Sequence, residues 1–554
     1  MARVASLEDA VAEYVRDGDT VALESSAHLI PYAAGHEIIR QGRRDLTLVR
    51  LTPDLICDQL IGMGCAQKLI FSWSGNAGVG SLHRFRDAAE NGWPRPLELE
   101  EHGHAGMVNA YAAGAADLPL AVVRGYVGSD LAKLGARVRF VTCPFTGEEL
   151  AAVRSIRPDV AVIHAQKADR RGNVLLWGAL GVQKEATLAA EEVIVTVEEI
   201  VDDLEAWPGA CVLPARNVSA VCPVPGGARP SHAPGYYQRD EGFHRAWDKI
   251  ARDREVFLAW MRRHVLDAAD DASIRHPPPE TRLGAPPRGT TPPPREHAAF
   301  SATEMMTVAA ARMLENGAVC LVGVGLPSTA ASLARLTHAP DLVLIGETDP
   351  TAADPQASPL SRGGSGQTLG AELSIATREI YRYWLQGGRV DLGLVSAAQV
   401  DRFGNLNASF VGGTYAQPRV RLPGAGGSPE IAAMAGEVLV VMRQDRRSFV
   451  DRLDFVTSAG HLRGGGARRR GGLSGKGPTA IVTDLGILTP DPATKEFTLT
   501  SIHPGVSVEQ VRAATGWDLK VAPGVATTPM PEARELRALR GLAAPGLEGF
   551  GAVA

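Results

Sequence analysis

Three stretches combine acids, histidines or glycines at spacings that chemistry uses. In GVGLPSTAASLARL (323–336) an apolar run enters Gly323-x-Gly325, and Pro327 follows where the first turn of a helix belongs. Such a strand–glycine–helix turn exposes backbone amides, and with the helix dipole these can hold an anion or a developing oxyanion. APDLVLIGETDP (339–350) then supplies a second apolar strand with Glu347 at its carboxyl end, the edge of an open α/β sheet at which ligands bind. Glu347 admits three interpretations. It lies 24 residues after Gly323, where a dinucleotide fold keeps its ribose-binding acid, but Ser328 replaces the third glycine of that fingerprint. It can be a nucleophile facing an amide-lined oxyanion site, or a solvated strand-end acid.

The second stretch is Glu100-Glu101-His102-Gly103-His104. Two acids and two imidazoles so close suggest a metal site, a general base in a cleft or a solvated acidic strand end, and no third distant ligand stands out. The third is FSWSGNAGVG (71–80), in which Ser72, Trp73, Ser74 and Asn76 stand between an apolar strand and glycines, as a pocket wall or a polar loop.

These groups need strands and turns to hold them, and the chain supplies these twice. Ser6-Leu-Glu-Asp9 and Ser301-Ala-Thr-Glu304 both look like capping boxes. Each predicted helix ends at a glycine, Gly18 or Gly317, where a left-handed residue is needed, and an apolar strand follows at 20–24 or 318–325. PDVAVIHAQKADRRGN (158–173) and VDLGLVSAAQVDRFGN (390–405) share a strand followed by Asp-Arg-x-Gly-Asn, with aspartates ten apart in both (159 and 169, 391 and 401). Asp with Gly-Asn is turn chemistry, because the carboxylate bonds nearby amides while glycine tolerates positive φ. Strands at 193–200 and 438–444 come next in each part. The apolar runs are those of parallel strands buried on both faces.

Between the copies, residues 273–299 carry prolines in three runs and almost no large apolar side chain, so they predict an extended tether. The expected fold class is α/β: two related doubly wound three-layer α/β/α domains, 1–272 and 300–554, joined by the Pro-rich linker 273–299.

Composition narrows the function. The 554 residues carry 57 Lys and Arg against 62 Asp and Glu, a net charge of −5, which lacks the basic footprint of a nucleic-acid partner. The run Arg468-Arg469-Arg470 sits among glycines and predicts a solvated loop. No stretch is long and apolar enough to predict a membrane span. Six scattered cysteines without CxxC spacing, and an amphipathic N-terminus, predict reduced thiols in a cytoplasmic enzyme.

RLPGAGGSPEIAA (421–433) is a glycine-rich turn entering a helix, suited to contact a phosphate or pantetheine chain. Together with GVGLP, APDLVLIGE and AAQVDRFGNLN it resembles the β subunit of class I CoA-transferases of the glutaconate CoA-transferase type. The N-terminal part resembles the α subunit through PYAAGHEIIRQGRRDLTLV (31–49), AGVGSLHRFRDAAE (77–90), VAVIHAQKADRRGN (160–173) and VTVEEI (195–200). The resemblance implies both subunits fused in one chain. It places Glu347 at the family's catalytic glutamate, which takes the acyl group from a thioester and then carries CoA as a glutamyl thioester. It implies Gly323, Gly325, Gly424, Gly426, Gly427 and Gln399 as oxyanion or CoA-binding positions, and Ser72, Ser74, Asn76, Glu101 and His104 around the acyl group. CoA is expected as a substrate, with an acyl-CoA and a carboxylic acid as partners, neither metal nor NAD, and a homo-oligomer. Some relatives of the fold are hydrolases that use an acid of the α-type half, for which Glu100 or Glu101 is the candidate, and a non-catalytic CoA-binding relative is a further alternative. Three loops depart from the family pattern: Glu24-Ser25-Ser26-Ala27 in place of a Gly-Phe-Thr-like loop, Thr348-Asp349 after the glutamate in place of Ser-Gly or Asn-Gly, and Ser396-Ala397-Ala398 in place of Gly-Gly-Ala.

Overall fold

The computed structural model describes residues 3–135, 137–206, 209–268, 300–323, 325–346 and 375–542. Glu347 and the Pro-rich linker lie outside these residues. In the first half, eight strands run parallel in the spatial order Arg3–Val4, Ala220–Pro223, Glu192–Val201, Val160–Asp169, Thr20–Leu23, Leu46–Arg50, Ala66–Phe71, Glu98–Glu101. Two short antiparallel strands, Val174–Leu176 and Cys211–Leu213, extend it. In the second half the parallel order is Val343–Gly346, Val319–Val322, Leu392–Val395, Glu437–Val441, Pro478–Val482. Gly486–Pro490, Phe497–Ile502 and Val521–Thr527 continue this sheet beyond the repeat, with two antiparallel pairings and a final parallel one.

Successive strand residues face opposite sides of a sheet, and here the two sides are two different cores. Val21 and Leu23 enter one core while Ala22 enters another. Leu439 and Val441 likewise part from Val438 and Val440. One of these cores is common to both halves: it holds Ala22, Val49 and Ile163 together with Leu321, Val395 and Val440. The order through the molecule is therefore outer core, sheet, shared core, sheet, outer core.

The duplication extends to single hydrogen bonds. Thr20 N donates to Asp159 Oδ2 at 2.6 Å, and Val319 N donates to Asp391 Oδ2 at 2.9 Å. Asp169 Oδ1 accepts from the amides of Arg171 and Asn173, both at 2.9 Å, and Asp401 Oδ1 accepts from Phe403 and Asn405 at 2.9 and 3.0 Å. Ser301 and Glu304 form the full two-way capping box, whereas Ser6 accepts from Asp9 N alone. The helices stop at Tyr14 and Ala311, a few residues before the left-handed Gly18 and Gly317.

The arginine run departs from expectation. Ala467–Arg470 is a helical turn, and Arg468 is buried rather than solvated. Its guanidinium donates to the carbonyls of Ala432, Ala433, Ala459, Gly460, Ser474 and Gly475. The carbonyls come from the helix Ser428–Met434 and from residues 459–460 and 474–475, a meeting that composition does not reveal.

Candidate active site between the halves

Each sheet changes winding direction beside its central strand. The strands that follow Thr20–Leu23 and Val319–Val322 in the chain lie on one side, and Val160–Asp169 or Leu392–Val395 on the other. Ligands of open α/β sheets bind outside the carboxyl ends at this switch point. At the first such end stands Glu24, and at the second Gly323. The two are equivalent in the repeat: Glu24 N donates to Val162 O at 3.3 Å and Gly323 N to Leu394 O at 3.0 Å. Gly323 therefore spends its amide in the sheet. Gly325 has φ +98° and caps the helix Leu326–Thr337 with Pro327 in its first turn, as predicted. Gly346 ends its strand opposite Val322, and Glu347 is the next residue in the chain.

Glu24 is completely buried. Its Oε1 accepts from Leu51 N at 2.9 Å and from the Tyr111 hydroxyl at 2.8 Å, while Oε2 has no hydrogen-bond partner among the described residues. The neighbouring Arg50 is also fully buried, but it is committed to Asp54 (2.5 Å), Ser25 Oγ (2.8 Å) and the carbonyls of Leu23 and Thr52. Two acids thus share one guanidinium. Burial, opposed by Arg50 and the two donors, pushes the Glu24 carboxyl up to about 7.

A dense seam joins the halves next to these ends. Ser74 donates to Pro423 O through its amide (2.7 Å) and its hydroxyl (3.0 Å). Gly426 N donates to Ser72 O at 3.2 Å, and His104 N to Gly426 O at 2.9 Å. Trp73 pairs with Gly424 as an antiparallel bridge, and Gly424 N donates to Ala408 O. Below them Glu101 and Arg421, both wholly buried, form an ion pair across the halves. Ser409 Oγ donates to Glu101 Oε1 at 2.7 Å, and the Arg421 guanidinium lies over Phe71 and Tyr415 at 5.3 and 5.1 Å. Gly103 is a glycine for lack of room: a Cβ there falls 2.0 Å from Glu430 Oε1 of the other half.

Several sequence-predicted residues are thus brought together, in a role different from the expected one. Gly424 and Gly426 donate their amides to the protein itself, so these two do not offer them to a phosphate; the turn, Gly427 included, is buried against the first half. Ser72, Ser74, Glu101 and His104 belong to the same seam. His104 Nδ1 lies 2.7 Å from Ser72 Oγ, and burial brings its imidazole down to about 3, so it is neutral. Asn76 turns away, bonding His244 of a helix in its own half. Gln399 sits on a two-stranded ribbon, where its Oε1 accepts from Asn407 at 2.7 Å and its Nε2 donates to Asp454 at 3.3 Å. Glu100 is not a solvated strand end: although burial alone raises it, His102, Arg137 and Lys68 hold its carboxyl down at about 2. Arg421 and Glu430, which complete the seam, lie within the stretch 421–433, but nothing in their spacing there points to partners in the other half.

The family model for coenzyme A transferase matches residues 4–222 and 303–514. The chain belongs to the coenzyme A transferase family. As a member of it, the chain moves CoA between an acyl-CoA and a carboxylic acid. Its first half is 64% identical over 270 residues to one of the two subunits of 3-oxoadipate CoA-transferase from Pseudomonas knackmussii, covering 49% of this chain and 96% of that subunit. Its second half is 56% identical over 246 residues to the other subunit of the same enzyme, covering 44% of this chain and 94% of that polypeptide. An acyl-CoA transferase from E. coli O157:H7, solved as a thioester complex with CoA, shares the fold across 99% of this chain and 97% of its own, with TM-score 0.69 at 16% identity. This coenzyme A transferase thus carries in one chain what the Pseudomonas enzyme keeps in two.

Proposed function

We propose that the chain transfers CoA from an acyl-CoA to 3-oxoadipate or a closely similar 3-oxo dicarboxylic acid, with Glu347 as the nucleophile. The observation that carries the substrate class is that both halves match, in order, the two subunits of one 3-oxoadipate CoA-transferase. The Glu347 carboxylate attacks the thioester carbon, and the CoA thiolate leaves an acyl–glutamyl anhydride. The thiolate then attacks the glutamyl carbonyl, releasing the first acid and forming glutamyl-CoA. The second acid reverses both steps.

The first attack is uphill, since a carboxylate of pKa about 4.3 displaces a thiolate of pKa about 8.5. Binding energy from the remote parts of CoA has to be used at the reacting centre. One backbone donor on the oxyanion contributes about 3 kcal/mol; Gly325, on the helix-capping turn, is the assigned donor, because Gly323 bonds Leu394. Glu101 is held by Arg421 and Ser409, an arrangement that leaves it poorly suited as the base of a hydrolase.

Trapping tests the assignment. Protein incubated with acyl-CoA and then borohydride or hydroxylamine is expected to carry its modification at Glu347, read by peptide mass. Protein that binds acyl-CoA yet shows no adduct there refutes it. A panel of acyl-CoA donors with 3-oxoadipate, succinate or acetate as acceptor tests the substrate class, with 3-oxoadipate expected to be the best acceptor.

A further inference from the structure

The carboxyl of Glu24 closes a ring of hydrogen bonds that crosses between the halves. Its Oε1 accepts from Leu51 N, and Leu51 O in turn accepts from the amides of Ser72 and Trp73 at 3.2 and 3.4 Å. Ser72 and Gly426 exchange two bonds: Gly426 N donates to Ser72 O and Ser72 Oγ to Gly426 O, both at 3.2 Å. Gly426 O also accepts from the amide of His104, the first residue of the helix His104–Ala115. Tyr111 lies further along that helix, and its hydroxyl returns to Glu24 Oε1 at 2.8 Å. All members but Gly426 belong to the first half. The ring depends on side chains alone only at Glu24 and Tyr111, because every other junction holds a bond between backbone groups. Both side chains are completely buried, in surroundings where a hydrogen bond is strong.

The ring reaches the second switch point through Gly426. The glycine turn there leads into the helix Ser428–Met434. Ile431 of this helix packs directly on Gly393, where a Cβ falls 2.2 Å from Ile431 Cγ2. Gly393 is paired with Leu321 in the strand Val319–Val322, which ends at the second switch point. Glu24 stands at the first.

We infer that Glu24 is a positioning residue for CoA transfer, which through Leu51 and Tyr111 holds the two switch points in one register. Its effect on the reaction is geometric, since a displacement of about 1 Å between reacting groups costs ~10²-fold in rate. Protonation enters through the surroundings. Among the described residues, the charged and titratable groups around Glu24 are Arg50, Asp54 and Cys57 on one side and Tyr111 on the helix. Loss of the proton sets a second carboxylate in competition with Asp54 for Arg50. The other bonds of Arg50 hold Ser25 Oγ and the Leu23 and Thr52 carbonyls at the first switch point. The register is therefore held best below about pH 7.

Steady-state transfer by the full chain between pH 6 and 8.5 tests this. It is measured with whichever acyl-CoA and acid the chain turns over fastest, so the outcome does not depend on which acid that is. Glu24→Leu and Tyr111→Phe each open the ring. At pH 6 each is expected to lower kcat about tenfold or more, with KM for acyl-CoA within about twofold of the parent and circular dichroism unchanged. Tyr111→Phe keeps the test intact should the leucine variant fail to fold. Glu24→Gln retains an oxygen for both donors. It is expected to keep kcat within about twofold at pH 6 and to stay level up to pH 8.5, while the parent falls through about pH 7. Parent kcat in Tyr111→Phe, or in a folded Glu24→Leu, overturns the inference, as does a loss carried by KM alone. So does a folded but inactive Glu24→Gln, which marks a carboxylate that reacts, or a pH profile shared by the parent and Glu24→Gln.

Discussion

At Glu24 burial and charge oppose one another. A single guanidinium lies among two acids, and Arg50 is committed to Asp54, so the second acid holds a proton to about pH 7. The consequence for stability has a definite sign. The folded pKa lies above the ordinary 4.5, so the folded chain binds a proton that the unfolded chain has already released between about pH 4.5 and 7. The stabilisation is fully present below pH 4.5 and is lost as pH rises through about 7, amounting to about 3 kcal/mol. Glu24→Gln is expected to remove this slope, seen as a flatter dependence of the melting midpoint on pH between 5 and 8. The Glu101–Arg421 pair makes a different prediction. Glu101→Leu leaves a buried, unpaired guanidinium and is expected to cost about 3–5 kcal/mol. Glu101→Leu with Arg421→Leu is expected to regain most of that, measured as urea midpoints of the two variants. Neither pairing is visible in the sequence: Glu101 lies in an acid–histidine cluster that suggests a metal or a base equally well, and its partner is 320 positions away.

At the scale of elements, the strand–turn units were legible because their hydrogen bonds are local. An aspartate that accepts from amides two and four residues on needs only Asp-x-x-Gly-Asn to form, and both copies form it. The glycine turn 421–427 was legible as a turn but not by its purpose. Gly424 has φ +111°, and a Cβ there falls 2.5 Å from Ser72 O of the other half. Gly424→Ala is therefore expected to lower the melting midpoint and to loosen the seam. Gly505→Ala, with φ +83° and open space around its Cβ, isolates the backbone strain of about 1–2 kcal/mol. The difference between the two variants in thermal melts reports the inter-half contact alone; equal losses in both contradict the assignment.

At the scale of the whole molecule, the shared core makes the two halves one body. Residues from both sheets bury their inward faces in it, so docking removes apolar surface that either half alone leaves in water. Read as a tether, residues 273–299 add only a raised effective concentration of one half around the other. Cleavage at an engineered protease site within 273–299 is accordingly expected to leave the halves associated in gel filtration and the transferase active, as the two-subunit Pseudomonas relatives suggest. Separation of the halves on cleavage contradicts a shared core. What the sequence alone determined were the duplication, the α/β class and the turns, which rest on local periodicity and short-range hydrogen bonding, and the family, which rests on the resemblance of its motifs. Only the tertiary structure decided that Ser72, Ser74, His104, Gly424 and Gly426 lock the halves together, that Glu101 is neutralised by Arg421 and that Arg468 is buried. Those outcomes depend on which groups meet across hundreds of residues, and spacing along the chain carries no record of that.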